Sequence, residues 1–407
     1  MTLVKNLFTK ESWIGKFVEY TSTLPTPAIF RKWAAISCVM GALERRVYVK
    51  TANTTLFPNH YILLIAPPGV GKSMVIDEVR KMWIAAKVLK IGPDAATKAA
   101  MVDSLNDAMR HYMFNNERFD MRALQVASPE FGNLISEYTN ETMNFYNKMW
   151  DCPNYHQERL RYGDAKNVVL EHVQLNLIAG TQPAYLGTIL PKEAWGMGYT
   201  ARLMMVYADK TFRPKLFPEE SEDRSKELAE LETGIKHIVT LCGEMKFSAA
   251  AKAFLEEWYA LDNSDGPEHL KLESYKVRRP VTIQKISMAI CAGSGAFPQI
   301  EEEHLQTALS MMLEAERFMP EIFKGMVVQE DSQVMSELHN YAIARYAKTK
   351  APLPECMIVD FIRDRVAIHK IDPILKHMLS SGLLKEASST DGGSFTTAKR
   401  YLPGRKG

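Results

Sequence analysis

Short apolar runs alternate along this chain with longer stretches in which apolar residues recur at helical spacing. Residues 11–24 and 27–44 read as two helices separated by Pro25-Thr26-Pro27, the second carrying Ile29, Trp33, Ala34, Ile36 and Met40. Arg46 to Tyr48 and Tyr61 to Ile65 predict strands, with Pro58-Asn59 as the turn before the second. Residues 74–118 read as helical and alanine-rich, broken at Gly92-Pro93. Leu124 to Ala127 then predicts a strand, 131–150 a helix, 152–167 a polar connection, and Val173 to Ile178 and Leu203 to Tyr207 two more strands. Strands alternating with helices predict an α/β architecture with a mainly parallel sheet covered on both faces.

The pattern changes twice further on. Between Phe212 and Asp223, Pro214 and Pro218 precede an acidic start, and residues 224–325 read as helices throughout, including amphipathic stretches at 248–262 and 281–292. Residues 331–403 have a third character: helices at 331–347, 354–364 and 371–381, then strands at Leu383 to Lys385 and Phe395 to Tyr401 around Asp391-Gly392-Gly393. Three helices and a β-hairpin predict a winged helix. The expected division is an N-terminal helical collar at 1–50, an α/β core at 51–211, a helical lid at 212–328 and the winged-helix domain at 329–407.

Composition narrows the class only slightly. A chain of 407 residues with 46% apolar content is long enough for two or three cored domains. No apolar run approaches the ~18 residues of a membrane span, and the start, Met1-Thr2-Leu3-Val4-Lys5, lacks a signal-peptide pattern, so a cytoplasmic protein without a membrane partner is expected. The five cysteines are scattered and never form CxxC, against both a disulfide framework and a zinc site. The formal charge of +2 is unevenly spread: residues 331–407 carry 12 Lys/Arg against 8 Asp/Glu, a net +4, leaving −2 on the rest. A basic C-terminal module suggests a polyanion partner, although a merely solvated surface has the same charge.

Candidate chemistry begins at Ala66-Pro67-Pro68-Gly69-Val70-Gly71-Lys72-Ser73, which follows a strand pattern and precedes a helical one. That is a P-loop. The loop from Pro68, through the backbone N–H groups of Gly69, Val70, Gly71, Lys72, Ser73 and Met74 and a helix N-terminus, is the means of cradling phosphates. Lys72 is placed to reach the β- and γ-phosphates and Ser73 to ligate Mg²⁺, so ATP and Mg²⁺ are the expected cofactors. The usual first glycine is Ala66.

Hydrolysis also needs an acid to orient water, a polar group at the γ-phosphate and a cation for the transition state. Glu130, at the end of the Leu124 to Ala127 strand, is the expected water-polarising carboxylate, with capping of the helix at Phe131 as the structural alternative. Thr181 or Gln182, at the end of the strand from Val173, is placed for the γ-phosphate, or else belongs to a simple Gly–Pro turn. Arg202, just before the strand Leu203 to Tyr207, is by its order in the series the expected cation, able to reach a neighbouring subunit's nucleotide, or else a solvated arginine at a strand edge.

The ordered series Pro67–Ser73, Val126–Gly132 (VASPEFG), Met149–Asp151 (MWD), Gly180–Pro183 (GTQP) and Gly198–Val206 (GYTARLMMV) resembles a family of phage and mobile-element P-loop ATPases, often the helicase half of primase-helicases. It is also similar to the AAA+ order of Walker A, Walker B, sensor 1 and arginine finger in minichromosome-maintenance helicases. The resemblance covers residues 25–325. It implies an AAA+-like fold and an ATP-driven DNA helicase or translocase that forms a ring, most often a hexamer, in a bacterial host's cytoplasm if phage-encoded. By that likeness Lys72 and Ser73 belong to Walker A, Glu130 to Walker B, Thr181 or Gln182 to sensor 1, and Arg202 to the finger. Lys285, or Arg278 and Arg279, would stand in the sensor-2 place. The Walker B Asp is Pro129 here, with Ser128 before it, so either Ser128 and water replace it or hydrolysis is slow. A helicase loader or origin-binding switch that binds ATP without unwinding is the alternative. No primase-type metal cluster is visible, which assigns priming to a separate primase or replication initiator.

For the DNA, single-stranded or forked, two surfaces are expected. Residues 155–167 read as a hairpin whose tip crowds Arg159, Arg161, Tyr162 and Lys166, a combination suited to phosphates and an unstacked base, or else an ordinary solvated hairpin. In the winged helix, Lys370 and Lys376 with Lys399 and Arg400 form the second surface.

Overall fold

The structure is a computed structural model that describes residues 7–135, 139–160, 166–190, 194–195, 198–212, 222–261, 265–363, 366, 370–387 and 399–404. The chain divides into two compact units, Met1–Phe323 and Lys324–Gly407.

The first unit opens on α1 (Trp13–Tyr20), capped by the Ser12 hydroxyl accepting from the Gly15 amide at 3.0 Å. Pro25-Thr26-Pro27 turns the chain into α2 (Ala28–Leu43), whose Trp33, Ile36 and Met40 are buried together with Ala34, Ala35, Cys38 and Val39. Apolar and small residues on every side make α2 a core helix within this unit. Next come β1 (Val47–Lys50), β2 (Thr55–Leu56), β3 (Tyr61–Ile65), α3 (Lys72–Ala85), α4 (Lys98–Asp107), and a long hairpin of β4 (Met109–Phe114) and β5 (Glu117–Ser128). After α5 (Asn140–Trp150), a second hairpin pairs β6 (Tyr155–Leu160) with β7 (Lys166–Glu171), and β8 (Val173–Thr181), α6 (Pro183–Ile189) and β9 (Met204–Tyr207) follow. The remainder is α7 (Glu222–Ile238), β10 (Gly243–Glu244), β11 (Lys246–Phe247), α8 (Ala249–Ala260), α9 (Glu273–Lys276), α10 (Arg279–Gly293), β12 (Gln299–Ile300) and α11 (Glu302–Glu316).

The central sheet runs β4-β5-β8-β3-β9. Its last four strands are parallel, as the alternation of strand and helix predicts, and β4 adds an antiparallel edge. Every residue of β3 and β8 is buried, because each has a strand on both sides and helices packed on the sheet, α2 and α3 among them. The register aligns the carboxyl ends: Ile65 pairs with both Thr181 and Tyr207, and Ser128 with Ala179.

Three expectations are corrected. Residues 109–118 are an antiparallel hairpin rather than helix. Asn115 and Asn116 both take positive φ, at 51° and 64°, and supply a two-residue turn, while Tyr112 stacks on its cross-strand partner Phe119 at 5.4 Å. The helix expected over 131–150 begins only at Asn140, where the Thr139 hydroxyl accepts from the Thr142 amide at 3.1 Å; Phe131–Asn133 is a single 3₁₀ turn. The helical stretch 224–325 is interrupted by short parallel pairings, β10 on β1 and β11 on β12.

A buried polar chain crosses the sheet. Glu44 takes hydrogen bonds from Arg110 and from the Gln125 amide at 3.0 Å, Gln125 accepts from Asn176 at 2.7 Å, and Asn176 accepts from the His60 backbone at 3.2 Å. The His60 ring in turn meets the Ser37 hydroxyl at 2.8 Å. Burial, with the Lys285 charge nearby, pushes the His60 imidazole down to about 3, so it is neutral in the fold.

The second unit contains most of α12 (Met319–Thr349), then β13 (Leu353–Pro354), α13 (Glu355–Arg363), α14 (Ile371–Ser380), β14 (Leu384–Glu386) and β15 (Arg400–Pro403). Its strands form an antiparallel sheet in the order β13-β15-β14 over a core that includes Leu338, Ile358, Ile374, Met378 and Tyr401. The expected strand Phe395 to Tyr401 is described only from Lys399 onward, and β13 is an added strand; residues 388–398, including the Asp391-Gly392-Gly393 turn, lie outside the described residues.

Candidate nucleotide site

The loop from Pro67 to Gly71 leaves the carboxyl end of β3 and enters α3 directly. Ala66 stays in the ladder, its amide donating to the Thr181 carbonyl at 3.2 Å, so the missing glycine costs no special backbone conformation. The two glycines that remain are both left-handed, Gly69 at φ 80° and Gly71 at φ 75°. Their surroundings differ. A Cβ on Gly69 would meet nothing within 4 Å, whereas one on Gly71 would lie 2.0 Å from the Pro25 carbonyl oxygen. The turn Pro25-Thr26 therefore packs against the start of α3, a contact that no local pattern in the sequence reveals.

Pro68, Gly69, Ser73 and Met74 are exposed, and Val70 and Lys72 are buried. The Lys72 ammonium donates to the carbonyls of Ala66 at 2.8 Å and Pro67 at 3.0 Å, folding back over its own loop. Burial pulls Lys72 below the usual lysine range and the Glu130 carboxylate offsets this only in part, which puts these two side chains within electrostatic reach. Glu130 caps nothing: its side chain makes no bond to the 3₁₀ turn at Phe131, and the carboxylate is exposed. Its backbone is held instead by the buried Ser128, whose hydroxyl is shared between the Glu130 and Asp94 carbonyls at 3.0 Å each. Arg80 of α3 fixes the same strand end by binding the Ala127 carbonyl and the Asp94 carboxylate.

Thr181 ends β8 level with Ile65, fully buried. Its hydroxyl has no hydrogen-bond partner, and neither has that of Thr26, also buried, in the turn against Gly71. Buried hydroxyls without partners are costly, and a water or ligand group beside the loop would satisfy them. Gln182, half-buried, precedes α6 without capping it. One end of the sheet thus gathers the glycine loop, Lys72, Ser73, Glu130, Thr181 and Gln182 from three neighbouring strands. Among the described residues no group of three or more His, Cys, Asp or Glu could hold a metal ion, so any cation here would rest on Ser73, Glu130 and groups a ligand brings.

Arg202 lies elsewhere. It precedes β9, whose register on β3 places it at the amino end of the sheet, a strand length of roughly 16 Å from the loop. Both oxygens of Asp151 accept from Arg202 at 3.1 Å and the Gly198 carbonyl accepts at 2.8 Å. Lys285 and Arg279 are also distant from the loop of their own chain. Lys285 donates to Asn59, which precedes β3, at 2.6 Å, and Arg279 is buried against Glu316 at 2.8 Å and Asp265 at 2.7 Å, a structural pairing. The Met149–Asp151 motif is visible in the sequence, but its role as the partner of Arg202 appears only here.

Of the expected nucleic-acid residues, Arg159 is exposed on β6 opposite Asn167. Arg161 and Tyr162, and the side chain of Lys166, lie outside the described residues. The other face of the hairpin is tied down, Glu158 binding Lys98 of α4 at 2.9 Å. In the second unit Lys376 is exposed on α14 and Arg400 is half-buried on β15, while Lys370 pairs with Asp331 at 3.0 Å and Lys399 lies 3.5 Å from Glu386. Lys370 and Lys399 are thus partly neutralised within the chain.

These features define a mixed α/β protein with a parallel-containing sheet and a glycine loop at its carboxyl edge. No protein-family model and no curated protein matches the chain. No helix among the described residues is long and apolar enough to cross a membrane.

Proposed function

We propose that this chain is an ATP-driven motor on DNA, an AAA+-like P-loop ATPase with a C-terminal winged helix that works as a hexameric ring and serves as the replicative helicase of a phage or mobile element. The observation that carries the reading is the convergence of the glycine loop with Lys72, Glu130 and Thr181 at one sheet end, from strands distant in sequence. In this reading the amides of the loop and of Ser73 and Met74 cradle the phosphates, and Lys72 exchanges its two carbonyl partners for phosphate oxygens. The oxygen donors Ser73 and Glu130 suit Mg²⁺, which keeps most of its waters and, when bound, neutralises phosphate charge. Glu130 orients the attacking water, and Thr181 or Gln182 touches the γ-phosphate. Arg202, at the opposite end of the sheet from its own loop, would act on the nucleotide of a neighbouring copy in the proposed ring. DNA would be gripped by the β6–β7 hairpin, with Lys376 and Arg400 of the second unit as a further contact, and priming would come from a separate primase or initiator.

One observation favours a second reading. Pro129 stands where a metal-shell carboxylate is expected, and the Ser128 hydroxyl is already committed to backbone carbonyls. A loader or origin-binding switch that holds ATP but hydrolyses it slowly fits that arrangement. Steady-state ATPase with and without forked DNA, together with fork unwinding and ring formation, separates the two. DNA-stimulated turnover abolished by Lys72→Ala supports the motor; tight ATP binding with negligible turnover supports the switch. A monomer whose turnover is unaffected by Lys72→Ala refutes both.

A further inference from the structure

Trp150, the last residue of α5, carries three cations around its ring. The Lys285 ammonium lies 3.7 Å from the ring centroid, and the guanidinium carbons of Arg202 and Arg278 lie at 5.4 and 5.6 Å. Among the described residues one carboxylate answers these charges, Asp151, and both of its oxygens are taken by Arg202. Lys285 donates to the neutral Asn59 amide oxygen. Among the described residues the Arg278 guanidinium makes no hydrogen bond, although it is half-buried. The cluster therefore holds two positive charges more than negative ones. Burial draws the Lys285 ammonium down to about 8; Cys152 and Asp151 oppose that shift, and Arg202 and Arg278 add to it.

Beside the cluster is a cavity of about 220 Å³ whose wall includes Trp150, Asp151, Arg278, Lys285 and the threonines Thr54 and Thr55. It lies at the amino end of β3, on the far side of the sheet from the glycine loop, and its wall runs from the β1–β2 turn to the first turns of α10. Collecting cations in a partly desolvated pocket is unfavourable unless an anion occupies it.

We propose that this cavity is a second anion site, independent of the glycine loop, that takes a free phosphate or a small phosphomonoester. A phosphate dianion matches the surplus of two charges, which a single carboxylate does not. Arg278 offers an uncommitted planar fork for two parallel bonds, Lys285 a point charge at the back of the pocket, and the threonine hydroxyls further donors. The cavity is larger than a bare phosphate, which leaves room for a short organic group against the indole. The assignment does not depend on the motor reading.

The test uses the full chain carrying Lys72→Ala, so that the glycine loop is silenced, titrated with inorganic phosphate against chloride at constant ionic strength. Calorimetry and thermal melting read the result. Saturable binding is expected, equal with Lys72 present or replaced, and weakened about tenfold or more by Arg278→Ala, the loss of one charge-assisted contact. Arg278→Lys should retain part of the affinity, and unchanged circular dichroism excludes misfolding as the cause. Absence of saturable binding, binding equal in Arg278→Ala, or binding lost with Lys72→Ala overturns the proposal. So does phosphate protection that occurs only when ATP-loaded copies assemble, which would assign the cations to a neighbour's nucleotide.

Discussion

The two glycines of the loop give a test in which local conformation and tertiary packing separate. Gly69→Ala places a side chain at φ 80° with no neighbour within 4 Å, so the cost is the left-handed backbone alone, about 1 kcal/mol. Gly71→Ala carries the same backbone cost at φ 75° and also drives a Cβ to 2.0 Å from the Pro25 carbonyl oxygen, a backbone atom that cannot rotate away. Relieving that overlap means lifting the 25–26 turn off α3, an overpacking cost of about 1–3 kcal/mol on top of the first. Urea unfolding of both variants, followed by tryptophan fluorescence, measures the difference directly. Gly71→Ala should be less stable than Gly69→Ala by at least about 1 kcal/mol, and its nucleotide affinity should fall further because the loop is displaced. Equal midpoints and slopes for the two variants would refute the packing of the N-terminal turn on the loop.

Three other outcomes follow from the same geometry. Because His60 is neutral in the fold with its ionisation pushed to about 3, the unfolded chain takes up a proton first as pH falls through 6.5, and stability drops between there and 3. At pH 5 that loss is about 2 kcal/mol, so urea midpoints at pH 7.5 and 5.0 should converge in His60→Gln relative to the parent, and an unchanged pH dependence would count against the buried neutral ring. Thr181→Val removes a hydroxyl that has no partner, so thermal stability should hold or rise while nucleotide turnover falls; a loss of stability with turnover intact would place the hydroxyl in the core's bonding instead. Ser128→Ala releases the Glu130 carbonyl and should cost about 1 kcal/mol in chemical denaturation, with a decrease in turnover but little change in nucleotide affinity.

What could be read in advance was what local rules control. A buried apolar pentapeptide, two glycines and an amphipathic helix are consecutive in the chain, so strand, loop and helix were legible at 61–85 without any knowledge of the fold. Glu130 and Thr181 were legible for a related reason: parallel strands present their carboxyl ends together, so residues that end strands converge once the alternation is recognised. The β4–β5 hairpin is masked in the sequence by the helix before it and by the shortness of the period-two pattern at 109–114, although Asn115-Asn116 is a turn signal.

Tertiary structure alone decided the remainder. Nothing near Arg202 in sequence indicates that Asp151 would hold it, that Trp150 would gather it with Arg278 and Lys285, or that Pro25 would rest against Gly71. Each of these contacts joins segments tens to more than a hundred residues apart, and their partners are chosen by sheet order and helix packing. Hydrophobic periodicity and turn chemistry are properties of neighbouring residues and can be read along the chain; the pairing of a charge with its counterion depends on which strand ends meet, and that exists only in the folded molecule.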